Sequence, residues 1–215
     1  MKVFNIYILR SIINITIFAV VANILRIVIW NKESFIYILW NIFLAFIPFI
    51  ISSFLLFYVK EKKIKKSLFI IGIFIWLLFI PNAPYIVTDF IHLGEIRTIP
   101  ILFDIFLLFS SATLGLILGF SSLFHLEQII KIRFSRVKTN LIMSLIILLI
   151  SFGVYLGRFL RFNSWDVFFN HTSLIKNVWQ VFSRSGSNFE VYLYTLLFFC
   201  FLSLFYEAWK SSNSK

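Results

Sequence analysis

The sequence predicts an all-α fold: a polytopic membrane helical bundle of about six transmembrane helices, with an interfacial amphipathic helix on its outer side. Three observations predict it. Hydrophobic residues make up 60% of the 215 residues, charged residues only 13%, and the mean hydropathy is +0.95. A soluble domain carries about 25% charged residues, so half of the usual solvated surface is missing. Six apolar runs are long enough to cross a hydrocarbon core of roughly 30 Å, which takes about 20 residues of helix. The Lys and Arg residues fall in short clusters between those runs. The length suits a single integral membrane domain over residues 1–215.

The formal charge of +11 raises the question of nucleic acid. A nucleic-acid binder needs a continuous basic face, whereas these cations are split between apolar runs, where they anchor the chain at lipid headgroups. The bilayer is therefore the expected partner, and nucleic acid is not. Cys200 is the only cysteine, so no disulfide framework and no Cys-based metal site is expected. The 29 Phe residues carry no functional message, because the accompanying Ile, Asn and Lys are what an AT-rich coding sequence yields.

The expected spans are 11–30, 35–59, 67–91, 101–124, 139–160 and 189–209. The first could pass for a signal peptide, with Lys2 and Arg10 ahead of it and Val20-Val21-Ala22 as a cleavage site. Asn14 interrupts that apolar stretch, however, and the run continues past Ala22, so an uncleaved helix is expected. The connection after the second span carries Lys60, Lys62, Lys63, Lys65 and Lys66. The one after the fourth carries Lys131, Arg133, Arg136 and Lys138. By the positive-inside rule both face the cytoplasm, and the N- and C-termini then do as well. The inner side holds 13 of the 20 basic residues and 3 of the 9 acidic ones, a net of 13 − 3 = +10. The outer side holds 7 and 6, a net of +1. A multi-pass protein of the cell membrane, with both termini cytoplasmic, is the expectation.

The third span is unusual. It runs for only about 13 apolar residues, roughly 20 Å of helix, before Pro81-Asn82-Ala83-Pro84-Tyr85. Two prolines remove two N–H donors and bias Ile80 and Ala83 toward extended backbone. Such a break is tolerated where protein or a water-filled cavity supplies partners, and broken helices build binding sites in transporters; a simple proline kink is the equal alternative. Beyond the break, Tyr85, Asp89 and His92 stand at i, i+4 and i+7, one face of an α-helix. In the fourth span Asp104 lies near the outer end, and Ser111, Gly115 and Gly119 recur every four residues. Gly153 and Gly157 do the same in the fifth, and small residues at this spacing let helices approach closely, so spans four and five are expected to pack together.

The fifth span ends in Gly157-Arg158-Phe159-Leu160-Arg161-Phe162-Asn163-Ser164-Trp165-Asp166. Arg158 and Arg161 share a face. Residues 164–184 then place Trp165, Phe168, Phe169, Thr172, Ile175, Val178, Trp179 and Phe182 on one helical side and Asp166, Asn170, Ser173, Asn177, Gln180 and Arg184 on the other. That is an amphipathic helix suited to the outer interface, with Ser164 as its cap and Asp166 in its first turn. Asn170-His171-Thr172 fits the glycosylation pattern, but its interfacial position makes the match accidental. His125, Glu127 and His171 are expected to be solvated at the interfaces.

The polar groups Asn82, Tyr85, Asp89, His92, Asp104, Arg158, Arg161, Asn163 and Asp166 thus converge on the outer side. Ionisable groups inside a membrane are functional candidates by default. Three readings stand. Asp89 and Asp104 pair with Arg158 and Arg161, holding helix ends together. Alternatively the two Arg side chains grip an anionic group such as a lipid phosphate, with Asp89 and His92 as a catalytic base and acid. Or Asp89, His92 and Asp104 hold a divalent metal, which the nearby Arg residues oppose. No nucleophile elbow, Walker loop or HExxH helix is present, and the sequence points to no cofactor.

The strings Trp76-Leu77-Leu78-Phe79-Ile80-Pro81-Asn82-Ala83-Pro84-Tyr85-Ile86-Val87-Thr88-Asp89-Phe90-Ile91-His92-Leu93 and Gly157 to Asp166, with Asp104 between them, resemble a family of bacterial multi-pass membrane proteins catalogued as domain of unknown function 1361. The resemblance implies a bacterial membrane protein over most of the chain and implies no activity. The leading expectation is a non-enzymatic membrane component whose polar groups are structural or bind an anionic lipid or lipid-linked ligand. The alternatives are an intramembrane enzyme acting on a lipid-linked or cell-envelope substrate, and a small transporter subunit.

Overall fold

A computed structural model of the chain describes residues 6–30, 35–93, 99–183 and 189–213. Lys2, Arg184 and Lys215, and the side chain of Phe182, lie outside the described residues. The elements are α1 (Ile6–Trp30), α2 (Ile36–Lys60), α3 (Lys66–Phe79), α4 (Asn82–Tyr85), a 3₁₀ segment (Ile86–His92), α5 (Ile101–Lys131), α6 (Arg136–Phe159), α7 (Asp166–Phe169), α8 (His171–Ser183) and α9 (Phe189–Asn213). No strand occurs among the described residues. Six stretches are long and apolar enough to cross a membrane: α1, α2, the composite Lys66–His92, α5, α6 and Phe189–Ser212. The chain is thus an all-α, multi-pass membrane protein. Each observed span overlaps the expected one, with ends a few residues longer or shorter.

Two compact units divide the chain, Met1–Leu126 and Glu127–Lys215, with the boundary inside α5. In the first, α2 packs along α3, α4 and the 3₁₀ segment. One apolar core joins Ile12 and Ala19 of α1, Ile38, Ile42 and Ala45 of α2, Ala83 and Ile86, and Leu107, Leu108 and Leu114 of α5. In the second, α6 packs along α9, and α7 against α8. There Tyr155 and Val191 are buried with Phe152, Leu156, Leu160 and Tyr194 around them.

The break in the third span is present, but Ile80 and Ala83 are not extended as expected. Ile80 has φ −59° and ψ −32°, and Ala83 lies within α4. The chain keeps helical dihedrals and changes its hydrogen bonding instead. The N–H of Ala83 donates to Ile80 O at 3.2 Å, serving the carbonyl that Pro84 cannot. This leaves Phe79 O, which accepts from the Asn82 side-chain amide at 2.8 Å. After Pro84 the helix tightens to 3₁₀ as far as His92. Neighbour packing supplies the reason: α5 lies so close that an added methyl at Gly115 would overlap the Ala83 carbonyl oxygen, and one at Gly119 would reach Ala83 Cβ at 3.3 Å. The small-residue stripe of the fourth span therefore serves the break in the third span.

Three further expectations change. The amphipathic stretch is not one helix, because Asn170 (φ −135°, ψ 34°) separates α7 from α8. Its apolar side chains Phe168, Phe169, Ile175 and Trp179 are exposed, as an interfacial element requires. At its start the Asn163 N–H donates to Asp166 Oδ2 at 2.6 Å, and the Asp166 N–H donates to the Asn163 main-chain O at 3.0 Å, a backbone turn closed by one side chain. His125 and Glu127 are buried rather than solvated. His125 Nδ1 faces the hydroxyls of Ser52 (3.2 Å) and Ser53 (3.4 Å) on α2. Glu127 accepts a short hydrogen bond from the Tyr206 hydroxyl and an ion pair from Lys131 at 2.7 Å, with Lys210 at 3.7 Å. Only His171 is exposed as expected.

Candidate functional site

The polar groups of the first unit gather where α1 ends, α2 begins, the third span ends and α5 begins. Asp104, in the first turn of α5, is 2% exposed, and Arg26, one turn before the end of α1, is 1% exposed. Arg26 Nε donates to Asp104 Oδ1 at 2.8 Å, and Nη2 approaches Oδ2 at 3.4 Å. The guanidinium carbon stands 3.9 Å above the centre of the Phe35 ring. Trp30 and Phe103 meet beside the pair, with ring centroids 5.0 Å apart. A buried charge is tolerable only when paired and hydrogen bonded, and this fork meets both conditions. Asp104 thus has a partner in Arg26, a residue the sequence reading counted only as one of seven outer cations.

The third span brings Asp89 and His92 to the same end of this unit. Asp89 is buried, and its Oδ2 accepts from Asn41 Nδ2 at 3.0 Å. His92 meets the Tyr37 ring edge-on, with centroids 5.6 Å apart. Tyr37 in turn stands edge-on to Phe35 at 5.9 Å, so the contacts run Asp104–Arg26–Phe35–Tyr37–His92. The expected alignment of Tyr85, Asp89 and His92 on one α face is not realised. Residues three apart are eclipsed in a 3₁₀ helix, so Asp89 and His92 align with Ile86, and Tyr85 falls a third of a turn away in α4. Asn82 caps Phe79 O, as described, and the Tyr85 carbonyl accepts the Thr88 hydroxyl at 2.7 Å. Both residues stabilise the break. No group of three or more His, Cys, Asp or Glu side chains able to hold a metal occurs among the described residues.

Arg158, Arg161, Asn163 and Asp166 belong to the second unit. Arg158 is in the last turn of α6. Arg161 follows with φ 57°, a left-handed conformation that costs a residue with a Cβ about 1–2 kcal/mol. The Phe162 N–H turns back to Leu156 O at 3.2 Å. Asn163 and Asp166 close the turn through their main-chain bond and the Asp166 carboxylate.

Sequence reasoning missed Arg26, Tyr37, Asn41 and Phe35. Arg26 carried a usable signal, since it is the only cation within the apolar part of the first span. Tyr37 and Asn41 stand one helical turn apart, but nothing in the sequence alone ties that turn to Asp89 and His92. The family profile described as "Protein of unknown function (DUF1361)" matches residues 40–205. No curated protein and no solved structure matches the chain.

Proposed function

We propose, on the premise that the chain belongs to this DUF1361 family of unknown function, that it is a non-enzymatic membrane component with both termini in the cytoplasm. Its outer-side polar groups form a structural clamp in the first unit and an anion-binding turn in the second. The orientation rests on the lysine- and arginine-rich connections. The observation that carries the clamp is the closure of Asp104 on Arg26, both almost wholly buried and in fork geometry. A ligand-binding arginine keeps its guanidinium plane open to the ligand, whereas this one is spent on Asp104 and Phe35. The test is a charge swap. Arg26→Asp and Asp104→Arg, each alone, should cut the amount of folded protein in the membrane several-fold, and the double variant should recover part of it. A double variant no better than the worse single one would show that the two charges do not act as a pair.

The anion-binding part rests on Arg161. A cationic residue occupies a left-handed position that glycine takes at no steric cost, just beyond the end of α6. An anionic lipid headgroup met by the Arg161 guanidinium is the partner this arrangement fits. Arg161→Gly should therefore fold at least as stably in neutral phosphatidylcholine nanodiscs while losing the extra thermal stability that phosphatidylglycerol gives the parent protein. Equal stabilisation of both proteins by phosphatidylglycerol would remove the anion site.

A further inference from the structure

Asn14 is a polar residue of the first span that neither the core nor the clamp uses. In α1, Ser11, Thr16 and Asn23 each donate a side-chain hydrogen to the carbonyl four residues earlier, at 2.9, 2.7 and 3.2 Å. Among the described residues Asn14 finds no such partner. Its amide is exposed, on the side of α1 away from the buried Ile12, Ala19 and Arg26. It stands four residues beyond Arg10, about 6 Å further along the span. From that depth a long arginine reaches back to the headgroups, whereas the short Asn side chain cannot. An amide held in hydrocarbon without a hydrogen-bond partner is costly, so this position calls for one from outside the chain.

The same side of the helix is regular. Asn14, Ile17, Val21, Ile24 and Val28 follow at alternating spacings of three and four, and all five are exposed. That is the a/d pattern of a helix seam, β-branched at every apolar position. One Asn at an a position is the device that fixes register between paired helices. We propose that α1 pairs with α1 of a second copy of this chain, the two Asn14 side chains hydrogen bonding to each other across a twofold axis along the membrane normal. Copies in one bilayer share an orientation, so equivalent residues lie at equal depth and the two helices run parallel. An amide carries both a donor and an acceptor, so each Asn14 Nδ2 donates to the other's Oδ1, as a self-complementary contact requires. Polar contacts of this kind hold membrane helices together where apolar surface alone gives no drive toward a protein over lipid. The seam is complementary to itself, which makes a second copy the occupant. The pairing needs only that α1 spans the bilayer, and it goes beyond the clamp near the other end of that helix.

The test uses the full chain, carrying one fluorophore at its C-terminus, in phosphatidylcholine vesicles over a series of lipid dilutions. Single-molecule bleaching of the parent protein should pass from two steps per spot to one as lipid is added. Asn14→Leu should accumulate normally, because no hydrogen bond within the chain is lost. Its dimer should be roughly tenfold weaker, the loss of two interhelical hydrogen bonds. Oxidative cross-linking gives a second readout in a Cys200→Ser background, Cys200 being the only native cysteine. Val21→Cys and Val28→Cys should each form a disulfide-linked dimer, and adding Asn14→Leu should reduce its yield. Ile50→Cys, at an exposed position of α2, should stay monomeric. A parent protein that bleaches in single steps at every dilution would overturn the proposal. An Asn14→Leu variant that dimerises as tightly as the parent would do the same, as would cross-linking at Ile50→Cys equal to that at Val21→Cys. Bleaching of the parent in three or more steps would overturn the twofold pairing.

Discussion

Asp104→Ala is expected to destabilise the first unit by about 3–5 kcal/mol, the cost of leaving one member of a buried ion pair without its partner. Arg26 cannot escape to water, being 1% exposed and lying a full turn inside the end of α1. Nor does the Phe35 ring replace the lost carboxylate, since a desolvated cation–π contact is worth about 2 kcal/mol. The paired replacement Arg26→Met with Asp104→Leu should behave in the opposite way. It removes both desolvation penalties and keeps the volume, so stability should stay level or rise by about 1–4 kcal/mol. Unfolding by denaturing detergent in mixed micelles, followed by Trp fluorescence, reads the order of the three proteins. An Asp104→Ala variant within about 0.5 kcal/mol of the parent, the range of an ordinary surface substitution, would mean that the fork does not hold the helix ends.

This pair also marks the limit of what was legible in the sequence. The six spans were readable because each buries its own backbone hydrogen bonds and so needs only length and apolarity. The break at Pro81 and Pro84 was readable for the same local reason. Partner choice is not local. Asp104 and Arg26 lie 78 residues apart, and only the adjacency of α1 and α5 within the first unit brings them together. Hydropathy gives spans but not neighbours, so it shows Arg26 only as one of the seven basic residues of the outer side. Glu127 was set aside on the same grounds, although Tyr206 and Lys210 of α9 enclose it. The backbone at the break went the other way from its local bias. A residue before proline leans toward extended geometry, yet Ile80 stays helical, because in a membrane an extended stretch would abandon more carbonyls than Asn82 and Ala83 can serve.

Gly115→Ala is the second large effect, and its size follows from what the new methyl would strike. In a helix interior alanine is favoured over glycine by about 1 kcal/mol, so each glycine of these helices starts with that gain. At Gly72 the added carbon would meet Leu55 side-chain atoms, the nearest at 2.8 Å, and a leucine side chain can turn aside. Gly72→Ala should therefore come out close to neutral. At Gly119 it would stand 3.3 Å from Ala83 Cβ and 3.9 Å from Pro84 Cδ, a mild crowding that cancels much of the gain. At Gly115 the obstacle is the backbone carbonyl oxygen of Ala83, backed by Ile86 Cδ1 at 3.1 Å. That carbonyl belongs to a single turn with proline on both sides, so it cannot rotate away, and α5 must withdraw. Overpacking of this kind costs about 1–3 kcal/mol, and a rigid obstacle puts Gly115→Ala at the upper end even after the helical gain. Ala83→Gly should relieve Gly119→Ala, whose clash is with the Ala83 side chain, and should fail to relieve Gly115→Ala, whose clash is with the main chain. A displaced Ala83 also carries Ile86 and Asp89 with it along the 3₁₀ face, so Gly115→Ala should loosen the Asn41–Asp89 hydrogen bond from a position in another helix. If all three glycine variants were equally stable, close approach of α5 would not be what holds the broken third span in place.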